Sequence, residues 1–132
     1  MSELNLPQAA SQGAEAQTQG ANVAVEPADD GGVSTSFAVV NADGTLARGR
    51  NAVSAARLGT GQYEVVFRKD VRKCAYVGTI GLSGSVGSSA PGEITVVGRF
   101  GNDRGVFVTT HSSAGAFGDL GFHLAVHCAG DD

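Results

Sequence analysis

The sequence predicts an all-β fold: an antiparallel β-sandwich or jelly roll of about eight short strands behind a flexible N-terminal arm. From Phe37 onward, turn residues recur at intervals of about eight to twelve residues, and apolar and polar residues alternate in the runs between them. The chain of 132 residues contains 20 glycines, and charged residues make up only 17% of it. Such a composition favours strands joined by tight turns over helices.

Residues 1–36 form the predicted arm. They contain no Lys or Arg and too few apolar side chains to offset the entropy of ordering them, which indicates a flexible segment. The leucines just before Pro7 could dock on a partner, although an inert tail would have the same composition. The candidate anchor consists of these leucines and the acidic residues nearest the domain: Leu4, Leu6, Glu26, Asp29 and Asp30.

Charge is unevenly divided between the arm and the domain, which is predicted at residues 37–132. The arm holds five acidic residues, whereas the domain holds nine basic and eight acidic residues. A nearly neutral domain argues against nucleic acid as its main partner, because phosphate recognition needs a basic excess. We predict no membrane partner either, since the chain has no apolar run long enough to span a bilayer, and we find no secretory signal at its N-terminus.

The first predicted hairpin has strands at residues 37–40 and 45–48. They flank Asn41-Ala-Asp-Gly44, and an Asp-Gly pair is a strong hairpin signal. Residues 51–58 follow as a strand, or as a short helix because Ala is frequent there. The Gly-containing turn at residues 59–61 favours the strand.

The remaining predicted strands lie at residues 62–69, 74–80, 93–100, 104–111 and 122–128. Their alternation predicts a set of core-facing side chains: Tyr63, Val65, Phe67, Cys74, Tyr76, Gly78, Ile80, Ile94, Val96, Phe100, Phe122, Leu124, Val126 and Cys128. Two Ser- and Gly-rich segments, residues 81–92 and 112–121, are predicted to be outward, mobile loops.

The two cysteines of the chain, Cys74 and Cys128, are each predicted on the apolar face of a strand. If these strands are neighbours, the cysteines can form a disulfide that ties the last strand to the middle of the sheet. The alternative is two buried thiols that never meet. We predict the disulfide, which implies an oxidising final location.

Residue types that support catalysis form no recognised pattern in this chain. The best set for nucleophilic catalysis lies in a Gly-rich loop without a nucleophile elbow and comprises His111, Ser112, Ser113 and Asp119. The carboxylates available for glycoside chemistry, Glu64 and Glu93, lie on strands of unknown proximity. We therefore predict no catalytic residue.

Metal and phosphate sites are equally poorly supported. His123 and His127 share one face of a strand but lie about 13 Å apart, too far to hold one ion. The Gly-rich residues 78–87 lack the Gly-Lys-Ser/Thr sequence of a phosphate loop. We predict neither a metal nor a cofactor.

Basic residues concentrate in one place, and this cluster comprises Arg68, Lys69, Arg72 and Lys73. It could contact the acidic arm of its own or a neighbouring subunit, or bind a polyanion. A solvated turn is the alternative.

The core from Phe37 to Cys128 resembles a small β-domain that often ends bacterial and phage collagen-like or fibre-type surface proteins. The similar segments are VVNADGTLARG, GTGQYEVVF, CAYVGTIG, GVFVTT and FHLAVHC, at residues 39–49, 59–67, 74–81, 105–110 and 122–128. The resemblance implies a non-enzymatic, trimeric surface module. This chain departs from the pattern because a short acidic arm replaces the Gly-X-Y stalk, which favours a stand-alone subunit over a fibre tip.

We therefore expect a non-enzymatic structural module, namely a phage virion accessory protein of the capsid-decoration or fibre kind. It would form a homotrimer, attach through its arm to a larger assembly such as a capsid or filament, and lie on the virion surface or outside the cell. The alternative is a bacterial surface or secreted module that binds carbohydrate. Trp is absent and both Tyr63 and Tyr76 fall in core phase, which leaves few aromatic rings for stacking on sugars.

Overall fold

The computed structural model describes residues 32–130, and this part of the chain is an antiparallel β-sandwich without helices. Its strands are β1 (Val33–Val40), β2 (Leu46–Arg50), β3 (Ala52–Gly59), β4 (Gln62–Phe67), β5 (Ala75–Ile80), β6 (Glu93–Gly98), β7 (Gly105–His111) and β8 (Phe122–Ala129). The prediction of an all-β sandwich is confirmed, and the segment predicted at residues 51–58 forms strand β3 (Ala52–Gly59), not a helix. The jelly-roll alternative is not confirmed.

The anchor residues predicted in the arm, Leu4, Leu6, Glu26, Asp29 and Asp30, lie outside the described residues. Residues 35–128 form one compact unit, which holds the sandwich core. β1 begins at Val33, a few residues before the predicted start of the domain at residue 37.

The strands are divided between two four-stranded sheets. Sheet A has the order β2-β1-β8-β5, and sheet B has the order β3-β4-β7-β6. The hairpins β1/β2, β3/β4 and β6/β7 pair strands that are consecutive in sequence, whereas β4/β7 and β5/β8 pair strands from distant parts of the chain. The short loops of the sandwich therefore collect at its two ends.

The core lies between the inward faces of the two sheets. The predicted alternation is confirmed in β4, where Tyr63, Val65 and Phe67 are fully buried, and in β8, where Phe122 and Leu124 are buried. The remaining members of the core cluster are Ala38, Val40, Val71, Val106, Val108, Val126 and Cys128. The rings of Tyr63 and Phe122 meet edge to face with centroids 5.1 Å apart, an arrangement that stabilises aromatic pairs beyond their burial.

Tyr63 also fixes the first hairpin turn to this core. Its hydroxyl donates to the carbonyl oxygen of Ala42 at 2.7 Å. The turn is closed by the amide of Gly44, which donates to the carbonyl of Asn41 at 2.8 Å. Burial and the nearby carboxylate of Asp119 raise the pKa of the Tyr63 phenol, so the hydroxyl remains a donor over the ordinary pH range.

Gly78 of β5 allows the two sheets to approach closely. A Cβ at this position would lie 2.9 Å from Cδ1 of Ile94 and 3.2 Å from Cγ1 of Val96, both in β6. A methyl group here would have to displace the end of the Ile94 side chain and would press on Val96. These two side chains of β6 therefore pack directly over the bare backbone of position 78.

Cys74 and Cys128 form the predicted disulfide, with Cα atoms 4.3 Å apart. Ala75 pairs with His127, so the cysteines stand directly opposite each other, one residue beyond the pair. One detail of the prediction is wrong: β8 is an interior strand and β5 is the edge strand. The bond therefore ties the edge of sheet A to its interior.

The prediction that Phe100 belongs to the core is wrong. The sequence places it in phase with Ile94 and Val96, but its side chain is 96% exposed. β6 ends at Gly98, and a turn begins at Arg99, whose carbonyl accepts from the amide of Asn102 at 3.1 Å. The alternation that predicts burial holds only while the chain is extended, and Phe100 lies beyond that point.

Candidate functional site

Three loops meet at one end of the sandwich, which we call the basic end. They are residues 50–51, 68–74 and 99–104. The amide of Arg68 donates to the carbonyl of Asn51 at 3.0 Å, and the amide of Val71 donates to the carbonyl of Asp103 at 2.9 Å. The end therefore brings together, on exposed positions, six of the nine basic residues of the protein: Arg50, Arg68, Lys69, Arg72, Lys73 and Arg104.

Carboxylates of the same end hold one of these cations. Arg72 donates to both oxygens of Asp70 through its side chain, with Nη2 at 2.6 Å, and its Nε lies 3.6 Å from Asp103. Hydrogen bonds from Arg72 lower the pKa of Asp70 to about 2. Arg72 and Asp70 thus pair within one exposed turn, and the basic surface extends beyond this turn to Arg50 and Arg104, which the sequence does not link to it.

A second candidate surface, the outer groove, runs along the outward face of sheet A. It encloses about 350 Å³, a volume at the low end for ligand sites. Its floor includes Val39, which is only 3% exposed although it belongs to the outward face opposite Arg48. The side chains that line the groove are Phe37, Val39, Arg48, Val77, Thr79, His123 and Ala125.

The loop after β5 closes one end of the outer groove. Nη1 of Arg48 donates to the carbonyl of Ser83 at 2.7 Å, and Nε2 of His123 lies 2.9 Å from the carbonyl oxygen of Leu82. The beginning of the segment predicted as a mobile, outward loop is therefore bonded to the face of its own sheet. Val86, farther along, is 90% exposed.

The residues considered for nucleophilic catalysis do not form a triad. The ring nitrogens of His111 contact the hydroxyl of Thr109 at 3.0 Å and the carbonyl of Gly115 at 3.2 Å. Asp119 turns away from this histidine: it accepts from the amide of Gly61 at 2.8 Å and from Nε of Arg57 at 2.9 Å. These are contacts that hold loops in place.

The two carboxylates considered for glycoside chemistry are also separate. Glu64 lies opposite Phe107 and pairs with Arg99 at 3.0 Å, whereas Glu93 lies opposite His111 at the other end of β7. Four residues along the strands and two strand spacings separate them, or about 16 Å. Glycosidase carboxylates lie within about 10 Å of each other.

Within residues 32–130, no group of three His, Cys, Asp or Glu side chains could hold a metal ion. No helix long and apolar enough to cross a bilayer occurs in the same residues.

Asp119 should make the stability of the sandwich depend on pH. Hydrogen bonds from Gly61 and Arg57 lower its pKa from the ordinary 3.8. Its contribution is therefore present above pH 3.8 and is lost as the pH falls through the lower, folded-state pKa. We expect Asp119→Asn to lower the free energy of unfolding at pH 7, and the difference from the parent protein to shrink below pH 3.8. Urea unfolding curves at a series of pH values measure this; a difference that is constant with pH would contradict it.

Comparison of the chain with protein-family models, with curated proteins and with solved structures found no match. The candidate surfaces consequently rest on the geometry of this molecule. Most of both surfaces could not be predicted from the sequence, because the outer groove joins residues of four strands and the basic end joins residues from 50 to 104.

Proposed function

We propose that this protein is a non-enzymatic structural module of an assembled particle, a phage virion accessory protein of the decoration or fibre kind. It associates with further copies of itself, as a homotrimer, and attaches to a capsid or filament through its acidic N-terminal arm. The outer groove is the observation that carries the proposal. A contiguous apolar surface rimmed by polar groups is a candidate site for binding a partner.

The composition of the groove supports contact between protein subunits. Phe37 is 38% exposed and Val77 is 58% exposed, on the outward face of a sheet where polar residues would be expected. Val77 lies on the edge strand β5, so another subunit can reach it without entering the sandwich. Arg48 and His123 add polar groups at one end of the apolar stretch, the usual arrangement of an apolar centre and a polar rim.

The positions of the aromatic side chains support carbohydrate binding less well than contact between protein subunits. Tyr63 is fully buried, and the hydroxyl of Tyr76 is bonded to the carbonyl of Val71 at 2.6 Å. Sugar sites usually present exposed Trp or Tyr faces. In residues 32–130 the exposed aromatic rings are those of Phe37, Phe100 and Phe117.

A solution mass measurement tests self-association. The full-length chain has a mass of 13.3 kDa, and light scattering should give three times this value. Val77→Glu places a charge in the groove and should yield monomers. Val53→Glu, at a position 56% exposed on sheet B, is the matched control and should leave the oligomer intact. A parent protein that is monomeric at high concentration would overturn the homotrimer.

Density-gradient fractionation of phage particles from the source organism tests the attachment. The full chain should sediment with particles, and a chain lacking residues 1–31 should fold and sediment with them much less. Absence of the full chain from every particle fraction would overturn the virion proposal. Strong hits on a glycan array would then favour the carbohydrate-binding alternative.

A further inference from the structure

The basic end carries Phe100, the most exposed large apolar side chain that the structure describes, at 96% exposure. It projects from the turn between β6 and β7, beside a loop that carries Arg68, Lys69, Arg72 and Lys73. A fully exposed phenylalanine ring is costly in water, and covering it with a partner is favourable. Aromatic side chains of this kind are frequent anchors at protein interfaces.

Backbone bonds hold the turn that presents Phe100. The amide of Asn102 donates to the carbonyl of Arg99 at 3.1 Å, and the amide of Gly105 donates to the carbonyl of Asn102 at 3.0 Å. Gly101 has a φ of +83°, which fits the third position of a type II turn. A Cβ on Gly101 would meet no atom, so the glycine is needed for its backbone angle and not for space. The ring is thus displayed on an ordered support, which reduces the entropy that binding must overcome.

We propose that the basic end binds an acidic protein surface that presents an apolar pocket for the ring of Phe100. The inference rests on the proposed function, because it names the chemistry of the assembly partner. Phe100 is the anchor, and Arg50, Arg68, Lys73 and Arg104 form its positive rim. The rim charges speed association and fix orientation, whereas the ring supplies affinity.

The charges of this end favour protein over nucleic acid. Asp70 and Asp103 lie among the cations, and Asp70 pairs with Arg72 through both of its oxygens. Their negative charge works against a continuous phosphate backbone, which is bound best by an uninterrupted basic surface. The rim of a protein interface commonly mixes both signs of charge.

The test measures binding of the full-length protein to three probes by fluorescence anisotropy. The probes are an oligoglutamate peptide, the same peptide with leucine at every fourth position, and oligo-dT of equal charge. The leucine peptide should bind about tenfold more tightly than oligoglutamate. Phe100→Ser should abolish this gain without affecting oligoglutamate. Phe117→Ser, at the opposite end and 52% exposed, is the matched control and should preserve it.

A charge-matched pair of variants tests the rim. Arg68→Gln with Lys73→Gln should weaken binding of both peptides about tenfold at low salt. Ser85→Glu with Ser88→Glu lowers the net charge equally in the loop after β5 and should have a much smaller effect. Equal binding of both peptides, tighter binding of oligo-dT, or no binding of any probe would each overturn the proposal.

These outcomes are separable from those of the particle experiment. A chain that sediments with particles but shows no gain from leucine retains the proposed function and loses this surface. A chain that binds the leucine peptide through Phe100 but sediments with no particle retains the surface and loses the virion assignment.

Discussion

Reduction of the Cys74–Cys128 bond is expected to lower the free energy of unfolding by about 4 kcal/mol, as the chain-entropy account gives for a loop of this length. The cysteines are separated by 54 positions in the sequence. In the unfolded chain the bond restricts this whole loop, whereas in the folded protein it joins two strands that already pair. The melting temperature should fall by about 15 °C or more.

Urea unfolding with and without reductant measures the effect, with the thiols titrated to verify reduction. The double variant Cys74→Ala with Cys128→Ala should show the same loss and should no longer respond to reductant. Coincident unfolding curves for the fully reduced and the oxidised protein would show that the bond contributes nothing to stability.

Phe122→Ala is expected to cost about 3–5 kcal/mol, because the ring is fully buried and its removal leaves a cavity beside Tyr63. Phe100→Ala removes the same number of atoms from a side chain that is 96% exposed. It should change the free energy of unfolding by no more than about 0.5 kcal/mol. The two variants thus make the same Phe→Ala substitution at two positions that the sequence pattern predicts to be buried.

Urea unfolding at one pH provides both values on a single scale, provided that the slopes of the transitions agree. A cost for Phe100→Ala approaching that of Phe122→Ala would mean that the ring of Phe100 is buried in the folded protein. That result would also remove the basis for Phe100 as an anchor.

Alternation along extended strands explains which parts of the fold could be predicted. Tyr63, Val65 and Phe67 occupy every second position of a regular strand, so their shared burial follows from the backbone geometry. Cys128 continues the same alternation in β8, and the prediction of its partner depended only on which strands are neighbours. The prediction that Phe100 is buried failed because the position at which a strand ends is set by its turn and not by its side-chain pattern.

The candidate surfaces depend on distances that a sequence does not contain. Arg50, Arg68 and Arg104 lie on three loops, which come together only because β2, β4 and β6 all end on the same side of the sandwich. The floor of the outer groove also depends on strand pairing: Val39 and Ala125 are distant in sequence, but they lie on the neighbouring strands β1 and β8. The basic residues of one short segment, 68–73, could be recognised in the sequence. The contribution of Arg50 and Arg104 to the same surface could not.

The two surfaces occupy different parts of the molecule and can be engaged together. The outer groove lies on the face of sheet A, whereas the basic end lies at the ends of strands from both sheets. The opposite end carries acidic side chains, with Asp43, Glu93 and Asp119 on or beside its loops. A module with this distribution of charge can contact neighbours through the groove while its basic end faces an acidic support.

The neighbouring positions of β1 and β8 also determine how the sandwich responds to mechanical force. Thr35 of β1 contacts His127 of β8 at 3.1 Å, so the unit formed by residues 35–128 begins and finishes at the same place. Tension between these two points loads the bonds between β1 and β8 one after another, as in a zipper, and not all at once in shear. The disulfide at Cys128 passes part of that load directly to β5. Force applied at these two points would therefore separate β1 from β8, while β8 stays tied to β5 through the disulfide.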